Sequence, residues 1–103
     1  MATVIKPPKQ PWEIFPIQMG FSANMEESET IDALKSSVTV IDVSSGVDVS
    51  LSLLSGNPSV VDRQKIMVTL KGGVKGKKYK VSFRAWISEN KNLEEDLILD
   101  VID

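Results

Sequence analysis

The stretch Leu70–Ser88, "LKGGVKGKKYKVSFRAWIS", decides the fold. Its second half alternates with a period of two. Tyr79, Val81, Phe83, Ala85 and Ile87 fall on one face, and Lys80, Ser82, Arg84, Trp86 and Ser88 fall on the other. Successive strand side chains point to opposite sides, so this is a strand with one buried face. The first half is either a phosphate-binding loop or a chain reversal. Phosphate loops aim several backbone N–H groups at the anion, usually at a helix N-terminus. Glycines at 72, 73 and 76 lack the Walker spacing, and a strand rather than a helix follows. The stretch therefore reverses the chain. Gly72 and Gly73 allow φ > 0 as one strand ends, and Gly76 allows a second reversal just before Tyr79. A tyrosine opening a sandwich strand after such a crossing occupies the tyrosine-corner position. Its ring is buried and its hydroxyl returns to the upstream backbone.

The same alternation extends in both directions. "KIMVTLK" points Ile66, Val68 and Leu70 inward, "DLILDVID" gathers Leu97, Leu99 and Val101, and "SSVTVIDV" gathers Val38 and Val40. "GVDVSLSLL" reads as a further strand, with Val47, Val49, Leu51 and Leu53 on one side. Turn residues separate these runs at Ser44-Ser45-Gly46, Ser55-Gly56-Asn57-Pro58, Gly72-Gly73 and Glu89-Asn90-Lys91-Asn92. Helix is nearly absent; "NMEESETIDALKSS" reads as an irregular bend or a single helical turn. About seven short strands with turns roughly ten residues apart predict an all-β chain, an immunoglobulin-like antiparallel β-sandwich. Pro7, Pro8 and Pro11 make residues 1–11 an extended arm, and 12–103 form the sandwich.

Composition narrows function by exclusion. The chain has 103 residues, the length of one domain, with no cysteine, no histidine and a net charge of −2. Disulfides, thiolate catalysis and cysteine metal sites are ruled out, and the commonest general base is missing. No cofactor, metal site or catalytic residue is expected, and the reading is of a protein that is not an enzyme. A slightly acidic chain is a poor nucleic-acid binder. No apolar run reaches membrane-spanning length, and "MATVIKPPKQP" lacks a signal-type apolar core, so a protein made and kept in a cytoplasm, until some later assembly step, is expected. Glu26, Glu27, Glu29 and Asp32 form one acidic cluster and Glu94, Glu95 and Asp96 another. Neither has the alternating calcium-loop pattern, and both read as solvated surface. "DVSSGVD" lacks the G-x-S-x-G pattern of a serine elbow.

Surface candidates remain. Lys75, Lys77 and Lys78 make either a solvated loop or a docking surface for an acidic protein partner. Trp12 stands at the domain edge beside Ile14, Phe15 and Ile17. Trp86 lies opposite Phe83 and next to Arg84. Either it faces outward, forming an apolar patch with Ile98 and Ile102, or residues 1–17 fold back and cap it.

Taken in order, "PWEIFPIQMGF", "EESETIDALKSSVTV", "GVDVSLSLLSG", "VTLKGGVKGKKYKVSFRAWIS" and "LEEDLILDVID" resemble the small immunoglobulin-like virion proteins of tailed bacteriophages and prophages. Those proteins carry a glutamate-threonine-isoleucine step, here Glu29-Thr30-Ile31. They also carry a glycine pair followed by x-x-glycine-x-x-tyrosine, here Gly72-Gly73-Val74-Lys75-Gly76-Lys77-Lys78-Tyr79. Asn90-Lys91-Asn92 departs from the glycine-plus-basic turn usual before the last strand. The resemblance implies a head-decoration or fibre-to-tail adaptor type of virion component that binds capsid or tail proteins, alone or as an oligomer. The expected function is non-enzymatic and structural. The expected contacts are the proline arm with Trp12, the face around Arg84 and Trp86, and the Lys75–Lys78 loop. The alternative is a carbohydrate- or cell-surface-binding module on the same sandwich.

Overall fold

The computed structural model describes residues 3–5 and 9–102; the rest of the proline arm, Pro7 and Pro8 included, lies outside the described residues. In chain order the elements are β1 (Thr3–Ile5), β2 (Phe15–Gly20), β3 (Ser37–Asp42), α1 (Ser50–Leu53), β4 (Leu54–Val61), β5 (Lys65–Leu70), β6 (Lys78–Ser88) and β7 (Lys91–Asp100). One 3-10 turn, Ser22–Asn24, follows β2. The strands form an all-β sandwich of two sheets, a four-stranded one ordered β1-β7-β6-β3 and a three-stranded one ordered β2-β5-β4. All pairs are antiparallel except β1, which runs parallel to β7 with Thr3 opposite Asp96 and Ile5 opposite Ile98.

Period-two alternation builds the interior as the sequence requires. Val38, Val40, Val81, Phe83, Ala85, Leu97 and Leu99 face inward from the larger sheet. Ile17, Met19, Ile66, Val68 and Leu70 meet them from the smaller one. Each such side chain contributes about 1.5–3 kcal/mol when fully withdrawn from water. Ser82 and Asp96, paired in register on the opposite face, are also buried, where β1 runs alongside β7.

Two sequence expectations are corrected. The run "GVDVSLSLL" is not a strand. Asp48 Oδ1 accepts hydrogen bonds from the Ser50 N–H at 2.9 Å and the Ser50 hydroxyl at 2.6 Å, which curls the chain into α1. Short polar side chains that bind their own backbone outcompete alternation in this way. The result exposes Leu51 and Val47, and of the four residues expected inside only Leu53 is buried, with Val49 partly so. The second correction concerns Ser55-Gly56-Asn57-Pro58, which is not a turn between strands. It lies within β4 as a bulge, where the register with β5 slips between Ser55 and Ser59 and Gly56 adopts φ +76°.

The registers assign every connection to one of two ends. Residues 9–14, 43–53, 71–77 and 101–102 lie at one, here termed the glycine end. Residues 21–36, 62–64 and 89–90 lie at the other, the acidic end, which carries Glu26, Glu27, Glu29 and Asp32. Hydrogen bonds lace the acidic end together. Gln64 Nε2 donates to the carbonyls of Glu26 (2.8 Å) and Glu29 (3.0 Å), and the Ile31 N–H donates to Arg63 O (2.9 Å). Lys91 Nζ meets Glu29 Oε1 at 2.7 Å, tying the long bend to the β6–β7 hairpin. The Glu29-Thr30-Ile31 step thus has a structural role, with Ile31 buried.

Gly73 gives the sharpest test of the crossing. Its φ is +98°, and a Cβ there would stand 2.8 Å from Val101 Cγ2. Gly73→Ala is expected to destabilise the fold by roughly 1–3 kcal/mol in urea unfolding, whereas Gly46→Ala, which meets no atom within 4 Å, carries only the φ penalty.

Candidate functional site

At the glycine end the β5–β6 crossing is closed on itself. Tyr79 is buried, and its hydroxyl accepts the Val74 N–H at 2.9 Å, as the tyrosine-corner reading requires. The Gly76 N–H donates to Val101 O at 2.8 Å and the Lys77 N–H to Val74 O at 3.1 Å. Three main-chain donors of the loop are therefore engaged within the chain and cannot cradle a phosphate. The glycines serve geometry, with φ of +61°, +98° and +85° at Gly72, Gly73 and Gly76.

The lysines of this loop divide. Lys77 Nζ lies 2.8 Å from Asp42 Oδ2, a carboxylate that is itself nearly buried. The Lys77 ammonium, with the Ser44 hydroxyl and N–H on Oδ1, holds the Asp42 carboxyl down at about 2, against an ordinary 3.8. Lys78 pairs with Asp100 at 2.9 Å on the exposed surface. Lys75 is exposed at the loop tip. Much of the positive charge in the expected docking loop is thus balanced by the chain's own carboxylates.

Lys9 is a residue the sequence reading passed over. It lies within the arm segment, yet it is fully buried, and its Nζ donates to the carbonyls of Gly72 (2.7 Å) and Gln10 (2.8 Å). Burial lowers its pKa from the ordinary value, with Glu13 opposing. Its backbone also joins the larger sheet, donating to Asp100 O and accepting from the Ile102 N–H, each at 2.8 Å. Nothing in a lysine between prolines signals such a position.

Around this end lies an apolar surface. Of the eight large exposed hydrophobic side chains among the described residues, seven belong to the glycine end: Trp12, Ile14, Val43, Val47, Leu51, Val74 and Ile102. Leu34 alone is at the acidic end. Trp12 is 92% exposed and Leu51 94%. Soluble monomers scatter such residues singly, so a concentration at one end makes that end the candidate interaction surface. The sequence holds one missed signal for this. "DVS" occurs at both Asp42–Ser44 and Asp48–Ser50, and each time the aspartate captures the serine N–H and hydroxyl to turn the chain. From the first copy to the second the chain turns back on β3, with the Asp42 N–H donating to Val47 O at 2.9 Å, and leaves Val43 and Val47 exposed.

Arg84 and Trp86 do not join that surface. They lie toward the acidic end, on the outer face of the larger sheet, where an open cavity of about 480 Å³ is lined by Lys35, Arg84, Trp86, Asn92, Leu93 and Glu94 among others. Arg84 Nε pairs with Glu94 Oε1 at 2.9 Å. Trp86 is half-buried, and the cover comes from the bend before β3 rather than from the described arm. Lys35 Nζ sits 4.2 Å from the ring centroid, the Asp32 N–H donates to Trp86 O at 2.9 Å, and the Trp86 N–H donates to Ser36 Oγ at 2.9 Å. The Lys35 ammonium thus covers one face of the Trp86 ring. The expected interface residues therefore fall into two regions, Trp12 with Lys75, Lys77 and Lys78 at one end and Arg84 with Trp86 at a distance from it. Among the described residues no group of three or more acidic side chains is arranged to hold a metal ion.

Residues 9–100 match the family model described as podophage GP4 fiber-tail adaptor protein gp77, and the chain belongs to that family. No curated protein matches it.

Two measurements check the glycine end. Because the folded-state value of Asp42 lies below its ordinary one, its pairing stabilises fully above about pH 4 and is lost as pH falls through about 2. Asp42→Asn is expected to lower the Tm at neutral pH and to flatten the fall in Tm over that acid window. Tyr79→Phe keeps the ring but leaves the Val74 N–H without its acceptor. It should cost about 1 kcal/mol, a Tm drop of about 4–8 °C for a domain of this size.

Proposed function

We propose that this member of the podophage fibre-tail adaptor family is a non-enzymatic structural part of the virion tail, seated on a tail or fibre subunit by its glycine end. The observation that carries the proposal is the gathering of Trp12, Ile14, Leu51, Val74 and their neighbours at one end of the sandwich. Exposed tryptophan flanked by aliphatic side chains supplies an anchor of the kind that dominates protein interfaces. The Lys77–Asp42 and Lys78–Asp100 pairs border the same loops and give the surface a polar rim.

Further support comes from what the chain is made of. Without histidine or cysteine it lacks the commonest general base and a thiol nucleophile. The strand order, β3-β6-β7 in one sheet and β2-β5-β4 in the other, supports the immunoglobulin-like version of the sandwich, in which these strands stand as C-F-G and B-E-D. Such a body is rigid and presents loops at its two ends. In a symmetric tail, several copies each contributing a modest surface gain avidity together.

Particles of the parent phage assembled without this protein supply the test. Wild-type protein should sediment with them, and Trp12→Ser combined with Leu51→Ser should reduce the bound fraction at least tenfold. Both positions are exposed, so the Tm should move by less than the equivalent of about 0.5 kcal/mol. Normal sedimentation of the double variant would remove the glycine end as the seat.

A further inference from the structure

The two edges of the three-stranded sheet are built differently. β4 is interrupted by its bulge, by Gly56 at φ +76° and by Pro58, which has no N–H to offer. Bulges and prolines are how sheets prevent another strand from pairing at an edge. β2, at the opposite edge, keeps unbroken register with β5 over all six residues, from Phe15 opposite Leu70 to Gly20 opposite Lys65. It carries no charged side chain.

The direction of its free main-chain groups follows from the ladder. The Phe21 N–H donates to Gln64 O at 2.9 Å, toward the β5 side. Orientation alternates along an antiparallel strand, so Phe15, Ile17 and Met19 turn toward β5, and Pro16, Gln18 and Gly20 turn away. Among the described residues no strand lies beyond β2. Among the described residues, the outward N–H groups of Gln18 and Gly20 and the outward carbonyls have no main-chain partner.

Gly20 is the second observation. A Cβ there would meet nothing nearer than Lys65 Cγ at 3.9 Å, and its φ is outside the left-handed region. Neither packing nor a turn requires glycine at this position, although glycine weakens a strand. An exposed strand glycine without an internal reason marks close approach by another backbone.

We propose that the open edge of β2 receives an extended strand from a neighbouring tail or fibre protein, hydrogen-bonded to Gln18 and Gly20; this rests on the adaptor reading above. The incoming strand adds to the three-stranded sheet, and an aromatic side chain on it fills the space over Gly20. A second copy of this chain fits less well. Two-fold pairing centred on Gln18 would set Pro16 opposite Gly20 and leave a bond unmade at each end. A strand from another protein can engage Gln18 and Gly20 and stop short of Pro16.

The test uses the same phage particles lacking this protein. Exchange of the Gln18 and Gly20 amides with solvent deuterium should be fast in the free protein at all concentrations and at least tenfold slower on the particle. Gln18→Pro removes one outward donor, and Gly20→Val fills the open space while favouring the strand. Both should keep the wild-type far-UV spectrum and bind particles at least tenfold less. Should Gln18→Pro not fold, Gly20→Val decides alone. Normal binding by the folded variants, or unchanged amide exchange on the particle, overturns the strand proposal and leaves the adaptor reading standing. Protection that grows with concentration in the absence of particles assigns the edge to a second copy and also overturns it. Failure of the wild-type protein to bind particles removes both readings.

Discussion

The hydroxyl of Tyr79 accepting the Val74 N–H is the contact on which the glycine end depends. The ring seals the interior between the sheets, and the hydrogen bond fixes the crossing that joins β5 to β6. With that crossing fixed, Gly73 can lie against Val101, Gly72 can offer its carbonyl to Lys9, and Lys77 can reach Asp42. Each partner comes from a different loop, so the whole end is assembled around one buried phenol.

That assembly is accompanied by an apolar surface at the same end. Side chains that could have covered one another are held outward instead. The two aspartate-serine turns shape the chain between β3 and β4 so that Leu53 enters the core while Val43, Val47 and Leu51 are left in solvent. The other end behaves oppositely, with Phe21 and Ile31 buried and its carbonyls taken up by Gln64 and Arg63. The sandwich is therefore polarised, with most of its exposed apolar side chains gathered at the glycine end.

Legibility in the sequence followed the range of the interactions. Alternation over Tyr79–Ala85, Ile66–Leu70 and Leu97–Val101 is a local property, and those strands and their buried faces stand where the pattern puts them. Val47–Leu53 misled because its alternation is genuine while two aspartate–serine hydrogen bonds override it. Gly56 and Pro58 read as a turn because turns and edge bulges use the same residues. The division of Trp12 from Trp86 was not legible at all, since it depends on which loops share an end. Lys9 escaped for a similar reason; its acceptor, Gly72 O, lies 63 residues away.

The parallel pairing of β1 with β7 has a mechanical consequence. Residue 3 lies opposite Asp96, midway along β7, and residue 102 lies beyond the far end of that strand, on neighbouring strands that run the same way. Traction applied between them would slide the strands past each other, loading the β1–β7 bonds and the two Lys9 main-chain bonds in shear all at once. Peeling a hairpin breaks bonds in succession, whereas sliding parallel strands must break them together.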